Sequence, residues 1–242
     1  MHPVLFYGVP QGCSFGSIVA LEWLQQPYQL CRIDMLEYPW DRLFGHLNPL
    51  YQTPALLTAD NRPLSESLAI LLHLASQAEG SPLGPRQGTP SFDRLNQWLA
   101  YLVTDFFSAF APLWITYEKD DLSDAQRALL REVGREQVAN ACRHLETQLA
   151  GREWLLGEQR SLADAYLAGL ARWVDYHRLF DLSADYPQLA RYLDRLASDP
   201  AVRFATAIEE GAQAAGIGAF RGHVSLADVR DRLPTHLTNT RA

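Results

Sequence analysis

Residues 48–74 read NPLYQTPALLTADNRPLSESLAILLHL, and the reading of this stretch decides the fold. Thr53-Pro54 opens the apolar run Ala55-Leu56-Leu57. Proline removes a ladder donor, so within a sheet it belongs at the first residue of a strand, and an X-Pro link adopts cis at modest cost. Asp60-Asn61-Arg62-Pro63 then reads as a tight turn. Beyond it, Glu66-Ser67 stands at the mouth of a helix whose apolar stripe is Leu68, Leu71, Leu72 and Ala75. The first amides of such a helix have no internal partner and carry the positive end of its dipole, so they suit a small carboxylate.

Working outward, residues 4–7 form a short apolar run that reads as a buried strand. Gly8, Pro10 and Gly12 break it into a loop, followed by Cys13-Ser14. Phe15, Ile18, Val19, Leu21 and Leu24 recur at helical spacing, with Ser14 as a plausible N-cap. Cys31, Ile33 and Met35 alternate with Arg32 and Asp34, the mark of a strand with one buried face. Strand, helix, strand, then two short strands and a helix make a small mixed sheet covered by helices. Residues 76–90 contain three glycines and three prolines without periodicity and read as a linker. Everything beyond reads as helix. Leu95, Trp98, Leu99, Leu102 and Phe106 form one stripe, and Ser123 with Gln126 makes a capping box before a long helix. The expected organisation is an α/β domain over 1–78, a linker over 79–90 and an all-α domain over 91–242. Within the tail a short helix over 225–233, stopped by Pro234, is expected.

The 242 residues carry a net charge of −7, and the 21 basic residues are scattered. Neither nucleic acid nor an anionic membrane is an expected partner. Three cysteines, Cys13, Cys31 and Cys142, lie far apart with no metal spacing, and the seven histidines are dispersed, so no metal is expected. No leader-like opening and no apolar run of about eighteen residues is seen, which points to a reduced, cytoplasmic protein. Cys13 has a physical claim on reactivity, because unpaired helix N-terminal amides stabilise a thiolate. The alternative is a small buried side chain. The aromatic segment Phe106, Phe107, Phe110, Trp114 and Tyr117 is either helix core or the wall of an apolar pocket.

The stretch from Asn48 resembles the signature of the glutathione transferase family. Its pieces here are Asn48, Pro49, Thr53, Pro54, Leu56, then Glu66, Ser67, Ala69 and Ile70. Gly12-Cys13-Ser14-Phe15 is similar to the corresponding run of bacterial beta-class members. Trp154-Leu155-Leu156-Gly157 followed by Ser161 and Asp164 resembles the family's capping segment in the helical domain. The resemblance implies a thioredoxin-like first domain, an all-helical bundle as the second, glutathione as co-substrate and a homodimer. It implies that Thr53 offers its backbone to the cysteinyl part of glutathione, with Pro54 in cis. Glu66 would take the γ-glutamyl ammonium and Ser67 the α-carboxylate, while Arg42 and His46 are candidates for the glycine carboxylate. Cys13, Ser14 or Tyr7 would meet the thiol, and Phe106, Phe107, Phe110 and Trp114 would line the pocket of a small electrophile. The expected activity is transfer of the glutathione thiolate to that electrophile. The alternatives are glutathione-dependent thiol–disulfide exchange through Cys13, or a non-catalytic binding protein. Where beta-class members carry a histidine in the second domain, this chain has Asp105-Phe106-Phe107. Tyr51 replaces a family glycine.

Overall fold

A computed structural model describes residues 1–214, 216–217 and 219–234. The chain divides into two compact units, Met1–Glu79 with Asp199–Ala242, and Gly80–Ser198. The first unit therefore takes back the C-terminal part of the chain, which the sequence reading had assigned to the helical domain.

The first unit runs β1 (Val4–Val9), α1 (Phe15–Leu24), β2 (Tyr28–Asp34), α2 (Arg42–Leu47), β3 (Ala55–Leu57), β4 (Pro63–Ser65) and α3 (Ser67–Ser76). This is the expected thioredoxin-like order. β1 pairs in parallel with β2 and antiparallel with β3, and β3 pairs antiparallel with β4. All six residues of β1 are buried, as a central strand covered on both faces requires. Alternation sends Val4 and Phe6 to one face, where they join Phe44 and Leu47 of α2 in a single apolar cluster. α1 is buried from Phe15 to Trp23, including Glu22. A helix apolar nearly all round belongs inside, and the charge within it needs partners.

One of those partners comes from the C-terminal part of the chain. After α11 (Pro200–Glu209), which packs on α1, residues 211–219 lead to β5 (Phe220–His223). β5 lies parallel to β2, so the sheet order is β4-β3-β1-β2-β5. Glu22 accepts hydrogen bonds from Tyr28 Oη at 2.5 Å and from the Ile217 amide at 2.6 Å. The expected helix over 225–233 forms only turns and a 3-10 segment, Arg230–Arg232.

The second unit is helical: α4 (Pro90–Tyr101), α5 (Ala111–Glu118), α6 (Asp124–Leu149), α7 (Leu162–Leu170), α8 (Arg172–Tyr176), α9 (Leu182–Asp185) and α10 (Pro187–Ala197). A π segment, Leu102–Phe107, and a short 3-10 turn join α4 to α5 without a break. The run Pro90–Glu118 is long and apolar enough to span a membrane by length and composition, contrary to the sequence expectation. Its stripe of Leu95, Leu99, Leu102, Phe106, Phe110 and Leu113 is instead fully buried in this unit's core. Ser123 and Gln126 form the expected capping box on α6. Gly134 of α6 lets Leu113 of α5 come close: a Cβ there would lie 2.6 Å from Leu113 Cγ.

Candidate functional site

The site is built where β1 ends and β3 and α3 begin in the first unit. β3 and β4 pair with Ala55 opposite Ser65. That register sets Thr53-Pro54, just before Ala55, beside Glu66-Ser67, just after Ser65. The Thr53–Pro54 peptide is cis. α3 begins at Ser67, and Glu66 ahead of it holds a left-handed backbone, φ 70°, without capping the helix through its side chain. A non-glycine residue in that region is uncommon, and such outliers cluster at ligand clamps. Glu66 is exposed, Thr53 and Ser67 are half-buried and Pro54 is buried. Strand edge and helix mouth thus lie side by side, with a carboxylate between them.

The loop that carries Cys13 closes onto this edge. A Cβ on Gly8 would lie 2.2 Å from Thr53 Oγ1, so only glycine lets the end of β1 meet the cis-proline loop. A Cβ on Gly12 would lie 2.6 Å from the Gly8 carbonyl oxygen, so the loop folds tightly over itself. Cys13 then follows Gly12 directly and stands half-buried, just ahead of α1. The positive end of that helix favours a thiolate there. Cys31 and Cys142 are poor candidates by contrast. Burial pushes each thiol up to about 12.

Asn48 shapes the approach to Thr53. Its side chain donates to the Gln52 carbonyl at 2.8 Å and accepts from the Leu50 amide at 3.1 Å. Tyr51 follows with φ 53°, a left-handed conformation that glycine adopts most readily. The tyrosine is held by packing: its ring stacks on Trp40 at 5.7 Å and meets the edge of Phe44 at 6.2 Å.

The model of the glutathione S-transferase N-terminal domain matches residues 13–77, and that of the C-terminal domain matches 121–195. The glutathione S-transferase GST-4.5 of Xanthomonas campestris is 31% identical over 208 residues, spanning 84% of this chain and 97% of that protein. The chain belongs to the glutathione transferase family. Among solved structures, a sphingomonad glutathione S-transferase complexed with glutathione superposes with a TM-score of 0.74 at 30% identity, over 86% of this chain and 98% of the other. A bacterial beta-class glutathione S-transferase of Sphingomonas chungbukensis does so with 0.72 at 31% identity, over 85% and 98%.

Within this glutathione transferase the structure redistributes several expected roles. Tyr7 lies inside β1 and is 1% exposed. Its Oη is 3.1 Å from His223 Nε2 on β5. Burial raises the Tyr7 hydroxyl and lowers the His223 imidazole, so the neutral form of each is favoured in this pair. Tyr7 is therefore a buried sheet residue whose hydroxyl lies beside His223. Ser14 is fully buried, and its Oγ accepts from the Gly8 amide at 3.1 Å. It pins the loop in place of offering a hydroxyl. His46 is half-buried, with Nδ1 3.1 Å from the Pro234 carbonyl oxygen, whereas Arg42 at the start of α2 is exposed. In the helical unit Phe106 and Phe110 are fully buried core, so they are not pocket wall. Phe107 and Trp114 stay half-buried, each packed against Trp173.

Sequence reasoning read Gly8 and Gly12 as loop breakers but passed over their close packing and the structural work of Asn48. A glycine on each side of a loop that precedes a helix was the available signal for the first two. Nothing local marked His223, because its partner lies at the other end of the chain.

Proposed function

We propose that this glutathione transferase conjugates the thiolate of glutathione to a small apolar electrophile. The observation that carries the reading is the strand edge at the cis Thr53–Pro54 peptide set beside the mouth of α3. The tripeptide lies along that edge, with the Thr53 backbone pairing its cysteinyl N–H and C=O. The Ser67 hydroxyl and the first amides of α3 take the γ-glutamyl carboxylate, and Glu66 takes the adjacent ammonium. This sets the sulfur toward the loop that ends at Cys13. There the helix N-terminus favours the thiolate over the thiol, and the thiolate is the nucleophile. It attacks the electrophilic carbon, a thioether bond forms and the leaving group departs with the electron pair. A cytoplasmic homodimer is part of the same reading and rests on the family resemblance.

The test compares the wild type with Cys13→Ser in two assays. One follows thioether formation from glutathione and a chloronitrobenzene, the other the reduction of a glutathione mixed disulfide. The wild type should form thioether with saturation in glutathione. Cys13→Ser should lower kcat about tenfold, the factor expected from losing one hydrogen bond to a charged sulfur. No thioether above the uncatalysed rate, together with disulfide reduction that vanishes in Cys13→Ser, would replace conjugation by thiol–disulfide exchange.

A further inference from the structure

Residues 219–234 lie beyond both family matches, the later of which ends at 195, yet they are stitched into the α/β unit. β5 extends the sheet past β2, and the Val224 amide donates to the Leu30 carbonyl at 2.8 Å. Past β5 the chain crosses to the face that carries α2. Val229 and Leu233 are 2% and 8% exposed, in one cluster with Phe44 and Leu47 of α2 and with Val4, Phe6 and Leu57 of the sheet. Arg232 donates to Asn61 Oδ1 at 2.8 Å, to the His2 carbonyl at 3.0 Å and to the Thr58 carbonyl at 3.2 Å. A carbonyl can only accept, so the Pro234 oxygen 3.1 Å from His46 Nδ1 fixes a proton on that nitrogen and orients the ring.

α2 has six residues. A helix that short is not stable by itself and takes its position from what packs on it. Its C-cap is Asn48, and the next residues lead into Thr53. It carries Arg42 and His46, the two side chains that the family resemblance makes candidates for the glycine end of glutathione. We propose that the segment 220–234 is a positioning element for that end of the site. Leu233 and the Pro234 carbonyl hold α2, and Arg232 locks the segment against the β3–β4 turn and the N-terminal residues. The segment thereby fixes where the glycine carboxylate is read, without touching the thiol. This rests on the glutathione site proposed above.

The experiment uses the full chain, as wild type, Leu233→Asp and Arg232→Ala. It measures conjugation kinetics, calorimetric affinity for glutathione and for γ-glutamylcysteine, which lacks the glycine, and amide hydrogen exchange. The variants should raise KM for glutathione about five- to tenfold, the factor that one lost hydrogen bond produces, with kcat within about twofold. Affinity for γ-glutamylcysteine should stay within about twofold of wild type. Amides of α2 should exchange faster while those of β1 and β3 do not change. Leu233→Asp places a charge in a core, and if it does not fold, Arg232→Ala gives the same reading from a half-buried position. Unchanged KM and unchanged α2 exchange would overturn the proposal. So would equal losses for both ligands with exchange rising throughout the sheet, since that is a scaffold defect. A wild type that binds neither ligand refutes the glutathione site itself, a different result from a wild type that binds and variants that match it.

Discussion

His177 shows how a single residue can couple folding to pH. It is 1% exposed, and both ring nitrogens lack a hydrogen-bond partner among the described residues. Its ring lies 4.5 Å from Trp114, 5.2 Å from Tyr176, 5.6 Å from Tyr117 and 5.9 Å from Phe110. Burial first, then the Arg131 charge, lowers the imidazole from 6.5 to about 4. The unfolded chain thus binds the proton that the folded chain refuses. Stability from this site is complete above pH 6.5 and falls as pH drops toward about 4. At about 1.4 kcal/mol per pH unit the loss reaches about 3 kcal/mol. His177→Phe should keep the aromatic packing and flatten that part of the curve, read from urea midpoints between pH 7 and 4. An unchanged slope would show that other groups carry the acid sensitivity. The same neighbourhood marks a limit of sequence reading. Helical spacing gathers Phe106, Phe107, Phe110 and Trp114 into one segment, but periodicity cannot separate a ring in the core from a ring on a wall. Only packing sends Phe106 and Phe110 inside.

At the scale of the element, legibility depends on how local the signal is. Ser161 and Asp164 are three residues apart, and the capping box on α7 forms as the family resemblance implies. Asp164 Oδ2 accepts from the Ser161 amide and hydroxyl, each at 2.7 Å. What spacing could not predict is its second oxygen, which accepts from the Leu155 amide at 2.9 Å and from Tyr192 Oη at 2.6 Å. One carboxylate thus ties the head of α7 to the preceding loop and to α10. Asp164→Ala removes a cap and leaves buried donors unpaired, at a cost of about 4 kcal/mol. Thermal and urea unfolding of the variant should show that loss, and a change below about 1 kcal/mol would mean that the network is dispensable. The strand–turn–helix around Thr53 was legible for the same reason, because proline, turn residues and apolar stripe all lie within one short stretch.

For the whole molecule, the least legible feature is the return of the chain to the sheet. β5 is four residues with alternate ones exposed, and its partner β2 lies near the other end of the chain. No periodicity, cap or turn signal connects them. The consequence reaches back to single residues: Glu22 and Tyr7 find their partners in this segment, and His46 is oriented by it. The core of the α/β unit is therefore complete only when both ends of the chain are present. Everything functional still depends on the cradle at Thr53 and Glu66. Calorimetric titration of glutathione into the wild type and into Glu66→Gln tests it most directly. The account predicts saturable one-site binding, weakened about tenfold in Glu66→Gln by loss of one charge-assisted bond to the γ-glutamyl ammonium. Equal affinity in the two proteins, or no heat of binding at millimolar glutathione, would contradict it.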